Sequence, residues 1–241
     1  MKYDNVNYID YGTNKKGVIV LLHGWGQNIE MMDMLGRPFQ DEYRIIVLDL
    51  PGFGKSEEPN IPWGVEEYTS FLHEFLKDLK VDKPILVGHS FGGRITISYS
   101  SKYETEKAVL LSSPFRPNQH KKVSLKTRIY KIIKKLDFSH KLSKYLKEKW
   151  SSEDYKNASE IMRGSLVKVV NDDLSLQAQK IKCPVLLIYG ALETDVTSVE
   201  EARELEKLIS DSGLVVYPNC HHYAYLENLS QTLSILNNFF E

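Results

Sequence analysis

Short, uninterrupted apolar runs recur along this chain and constrain it more than any other feature. They are GVIVLL at 17–22, YRIIVL at 43–48, ILV at 85–87, AVLL at 108–111, PVLLIY at 184–189 and GLVVY at 213–217. A strand with one wet face alternates apolar with polar residues; an unbroken run needs cover on both faces. Helical patterns lie between the runs. Residues 63–79 place Val65, Tyr68, Phe71, Leu72, Phe75, Leu76 and Leu79 on one stripe. Residues after Ser90 to about 101, 199–209 and 232–240 are further helices. Residues 6–11 alternate like an edge strand. Strand–helix alternation of this kind predicts an α/β fold, a mostly parallel sheet with helices on both faces.

One interval breaks the alternation. From 115 to 182 no run reads as a strand, and the stretches LKTRIYKIIKKLDF and HKLSKYLKEKW read as helices. The interval is too long for a loop. The chain therefore divides into a core, 1–114 with 183–241, and a helical insertion at 115–182.

The third run ends abruptly in PILVGHSFGG. Ligands of open α/β sheets bind at the carboxyl ends of strands. There the chain reads Gly88-His89-Ser90-Phe91-Gly92, a G-x-S-x-G between a predicted strand and a predicted helix. Small residues at both ends permit a turn sharp enough to raise the central side chain above the sheet, which makes Ser90 a candidate nucleophile. A serine hydroxyl needs a base. His23 directly follows a strand, His89 lies inside the turn facing away from the side of Ser90, and His73, His120 and His140 lie in helical or basic stretches. His221 and His222 remain, in the loop after the last strand.

With these motifs in order, the chain resembles the α/β-hydrolase family over nearly all of its length. LLHGWGQN is similar to that family's HG loop, DLPGFGKSEEP to its D-x-P-G-x-G-x-S loop, GHSFGG to its nucleophile elbow, PVLLIYG to the approach to its acid loop, and NCHHYAYLE to its terminal N-x-x-H segment. The resemblance implies that His222 is the base and that His221 stands where the family has glycine. It implies an acid after Gly190. Register selects Glu193; keeping an aspartate selects Asp195 with a longer loop. Either carboxylate can orient His222 and stabilise its imidazolium. The resemblance further implies an oxyanion hole from the backbone N–H groups of Phe91 and Trp25. His23 then braces its loop, and Asp49, which precedes the nucleophile, supports a loop. The insertion occupies the family's cap position.

The implied activity is hydrolysis of a small or acyl-chain ester or thioester through an acyl-Ser90 intermediate, without metal or cofactor. The same residues serve C–C bond hydrolases and lyases, and a ligand-binding receptor with a slow triad is the reading from another class. The net charge of −1 gives no sign of a nucleic-acid partner. Within 115–150, however, Arg116, Lys121, Lys122, Lys126, Arg128, Lys131, Lys134, Lys135, Lys141, Lys144, Lys147 and Lys149 face only Asp137 and Glu148. Such a stretch reads as a cap helix with solvated lysines, as a weak contact with an anionic membrane surface, or as a guide for anionic substrates. Cys183 and Cys220 form no CxxC and read as reduced thiols. No signal-like or membrane-spanning stretch is visible, so a cytoplasmic location is expected.

Overall fold

A computed structural model describes residues 5–117 and 158–241. Its centre is a seven-stranded sheet: β1 (Tyr8–Gly12), β2 (Val18–Leu22), β3 (Arg44–Leu48), β4 (Ile85–His89), β5 (Lys107–Leu111), β6 (Val185–Gly190) and β7 (Ser212–Tyr217). The spatial order is β1-β3-β2-β4-β5-β6-β7. Only β1 runs antiparallel, pairing with β3; every other pair is parallel. Five of the six apolar runs thus become the buried inner strands, the alternating run becomes one edge, and the last apolar run, β7, is the other edge and only partly buried.

Side-chain alternation sorts each strand between two cores. Val20, Leu22, Ile46, Leu48, Leu86, Leu110 and Leu187 face one way, toward α2 (Val65–Asp78), α3 (Phe91–Ser100) and α6 (Val199–Leu208). Ile19, Leu21, Ile45, Val47, Ile85, Val87, Val109 and Ile188 face the other, toward α1 (Glu30–Gly36) and α8 (Leu229–Phe240). Each fully buried side chain of this size contributes about 1.5–3 kcal/mol. The α2 stripe is buried through Val65, Tyr68, Phe71, Leu72, Phe75 and Leu76. Helix α1 carries only Met32 and Leu35 inward and was not apparent from periodicity.

Of the 115–182 insertion, the described residues form α4 (Glu160–Asn171) and α5 (Ser175–Ala178). Ser159 caps α4 by accepting from the Met162 N–H at 3.1 Å. Asp172, just past α4, accepts from the free N–H of Val65 at the start of α2 at 3.0 Å, and Ser165 Oγ accepts from Trp63 N–H at 2.9 Å. These bonds fasten α4 beside the carboxyl end of the sheet. The two lysine-rich helical stretches predicted at 125–138 and 140–150 lie outside the described residues. Short helix α7 (Ala224–Glu227) follows the β7 loop. Among the described residues no helix is long and apolar enough to cross a membrane.

Candidate active site

The chain leaves β4 through Ser90, held at φ 50°, ψ −107°. A non-glycine residue there costs about 1–3 kcal/mol and persists only where its surroundings enforce it. Here Ser90 N–H donates to Leu111 O at 2.9 Å, and Gly92 N–H donates to His23 O at 3.1 Å. The flanking glycines are required by close approach. A Cβ on Gly88 would lie 2.5 Å from the Gly92 carbonyl, and one on Gly92 would lie 2.2 Å from Leu22 O. The turn packs β4, α3 and the end of β2 together, leaving Ser90 at a cavity of about 670 Å³. Trp25, Phe91, Leu166, Val167 and Val170 supply apolar wall, and Arg94 and Arg116 line it as cations.

His222 reaches the same cavity from the loop after β7. Its Nδ1 lies 3.2 Å from Glu193 Oε2, a contact at ion-pair distance that is not aligned as a straight hydrogen bond. Glu193 Oε1 accepts from the N–H groups of Asp195 at 2.8 Å and Val196 at 2.7 Å. Burial alone would raise the Glu193 pKa. The close contact with His222 and the hydrogen bonds from the two amides outweigh it and hold the pKa down to about 2. The carboxylate is therefore ionised at neutral pH. The two loops are also joined by Leu192 N–H donating to Cys220 O at 3.0 Å. No hydrogen bond joins Ser90 Oγ to His222 among the described residues.

Of the two acids that the sequence left open, the structure brings Glu193 to His222. Asp195 lines the cavity but forms no ion pair with His222; it contributes its backbone N–H to Glu193, because the chain turns back on the glutamate. His221 faces outward, its N–H and ring on Glu227. The N–H groups of Phe91 and Trp25 donate to no acceptor among the described residues, and the Trp25 ring packs edge-on against Phe53 and Phe91 at 4.8 and 5.3 Å. Asp49 braces its loop: its carboxylate accepts from Ile29 N–H, Lys55 N–H and Asn7 Nδ2 at 2.7–2.8 Å.

Strand alternation puts His89 on the face expected of it, yet it still meets the site. It lies on the opposite face of β4 from Leu86, but the His222 loop wraps around to that face, and the two rings sit 4.9 Å apart. Sequence reasoning missed Gln27 and Arg94. Arg94 left a signal, as the one charged residue in FGGRITISYS. It is buried at the cavity wall, its guanidinium donating to Pro114 O and Asp172 O, and burial lowers its pKa to about 10 without discharging it at neutral pH.

His23 is wholly buried, accepting from Leu50 N–H through Nε2 at 2.9 Å and donating from Nδ1 to Gly24 O at 2.7 Å. This is a neutral ring by construction. Burial lowers its pKa from 6.5 to about 4. The unfolded chain then binds a proton that the folded chain refuses between those values, so stability is full above pH 6.5 and falls as pH drops toward 4. The loss from this one group is on the order of 3 kcal/mol. Chemical denaturation at pH 7 and pH 4.5 should show it, and His23→Asn should flatten that part of the pH dependence.

Comparison with known proteins bears on the fold and the family. The family model described as alpha/beta hydrolase fold matches residues 17–136. The AB hydrolase superfamily protein YisY of Bacillus subtilis (strain 168) is 26% identical, the match covering 92% of this chain and 90% of that protein. The 2-hydroxy-6-oxo-6-(2'-aminophenyl)hexa-2,4-dienoic acid hydrolase of Metapseudomonas resinovorans is 24% identical, over 95% of this chain and 87% of its own length. The structure of an esterase from Exiguobacterium antarcticum superposes with a TM-score of 0.75 at 21% identity, covering 98% of this chain and 95% of that one.

Proposed function

The chain belongs to the α/β-hydrolase fold family, and from that premise we propose that it is a serine hydrolase cleaving an ester or thioester through an acyl-Ser90 intermediate. The observation that carries the reading is the strained Ser90, opening on the same cavity as a histidine backed by a buried, ionised Glu193. In this reading His222 takes the Ser90 Oγ proton as the oxygen attacks the substrate carbonyl. The N–H groups of Phe91 and Trp25 receive the negative charge that develops on the carbonyl oxygen. His222 then hands its proton to the departing alcohol or thiol. Water, deprotonated by the same histidine, attacks the acyl-serine; the acid leaves and Ser90 regains its proton. Glu193 holds the ring with Nε2 free to act and stabilises the imidazolium. The described part of the insertion covers the site, with α4 forming the acyl wall.

An apolar wall of Leu166, Val167, Val169 and Val170 suits an acyl chain. Each buried methylene is worth about 0.8 kcal/mol. Along p-nitrophenyl esters, kcat/KM should therefore rise about tenfold from acetyl to butyryl. A decline over the same step would contradict an acyl-binding wall.

A second reading has its own observation. Arg94, buried at the cavity wall, forms no ion pair among the described residues, whereas Arg116 on the same wall is paired with Glu204 and Asp195 also lines the cavity. The Arg94 charge favours a substrate carrying a carboxylate, as in a C–C bond hydrolase acting on a keto-dienoic acid or in a lyase. Fast cleavage of such an acid beside slow ester turnover would select this reading. Ligand binding without multiple turnover would select a receptor.

A further inference from the structure

His89 lies wholly buried between the loop of Trp25 and the loop of His222. Its Nδ1 is 3.2 Å from Gln27 Oε1, and its Nε2 is 3.2 Å from the His222 carbonyl oxygen. Gln27 Oε1 also accepts from Gly24 N–H at 3.0 Å, which identifies that side of the amide as oxygen. The imidazole thus faces an acceptor at each nitrogen. Its ring is packed against His222 and Tyr225 at 4.9 Å and against Tyr223 at 5.2 Å, so it has no room to turn.

We propose that His89 is a positioning residue that ties the Gly24–Trp25 loop, through Gln27, to the backbone of His222. A neutral imidazole carries one N–H, so each tautomer donates to one of the two acceptors and only packs against the other, and asparagine and glutamine variants tell which contact holds the loops. Burial and the neighbouring His222 oppose a second proton, lowering the His89 pKa to about 3. The span from Gly24 through Gln27 and His89 to His222 sets the separation between one oxyanion donor and the base. Catalysis is steep in that separation, since a displacement of about 1 Å can cost about 100-fold. The inference rests on the proposed triad.

The two contacts can be separated chemically. Asparagine places its amide nitrogen near the position of Nδ1, and glutamine near that of Nε2. His89→Leu should lower kcat on a p-nitrophenyl ester about 10- to 100-fold, counted per active site titrated with a fluorophosphonate, with KM within about twofold. Gln27→Leu should lower kcat in the wild-type and His89→Asn backgrounds, and by a clearly smaller factor in His89→Leu or His89→Gln, where only the bond from Gly24 N–H is left to lose. A residue that merely fills space would change melting temperature and titratable fraction without this pattern. Two results overturn the inference: kcat per titrated site of His89→Leu within about twofold of wild type, or a full multiplicative loss from Gln27→Leu in that background. If His89→Leu does not fold, Gln27→Leu in the wild-type, His89→Asn and His89→Gln backgrounds decides between the same outcomes. Wild-type protein that cannot be titrated at Ser90 refutes the triad itself, a distinguishable result.

Discussion

Ser90→Ala should lower ester turnover by at least about 10⁴-fold, because no other group on the cavity wall replaces the nucleophile. Its melting temperature should move by only a few degrees. The Ser90 side chain makes no hydrogen bond among the described residues, and the strained backbone is held by Leu111 O and by the Gly92–His23 bond rather than by the hydroxyl. An alanine there keeps the Cβ and the same φ. Large loss of activity with near-native stability separates a chemical role from a structural one. Circular dichroism melts and initial rates on the same preparation measure both. Activity within tenfold of wild type would remove Ser90 from the mechanism.

Glu193→Gln should cost about 10³- to 10⁴-fold in kcat. The amide oxygen can still accept from the Asp195 and Val196 N–H groups. Its NH₂ would then face His222 Nδ1, forcing the ring proton onto Nε2, where it blocks proton abstraction from Ser90. The stabilising negative charge is lost as well. Asp195→Asn should cost less than about fivefold, since Asp195 supports Glu193 through its backbone. Parallel kcat measurements on the two variants check this. The opposite ranking would hand the acid's role to Asp195.

The sheet could be read from the sequence because burial on both faces writes itself as an unbroken apolar run, and each such run became a strand. The elbow could be read because its glycines answer to local geometry: Gly88 and Gly92 sit where a Cβ would strike backbone. The acid was harder. Glu193 and Asp195 are two residues apart in one loop, and only the inward turn of two N–H groups toward the glutamate distinguishes them. The contact of His89 with the His222 loop was illegible for a related reason. Alternation correctly puts His89 on the Val87 face of β4, but strand periodicity carries no information about a loop arriving there from 133 residues further on. Gln27 and Arg94 depend in the same way on tertiary proximity, although the isolated charge of Arg94 in a buried helix was visible.

The most direct test of an activated serine is intact-mass measurement after exposure to a fluorophosphonate. The account predicts a single adduct on wild-type protein, none on Ser90→Ala, and slow formation on His222→Ala. No adduct on folded wild-type protein, or an adduct that persists in Ser90→Ala, would contradict it.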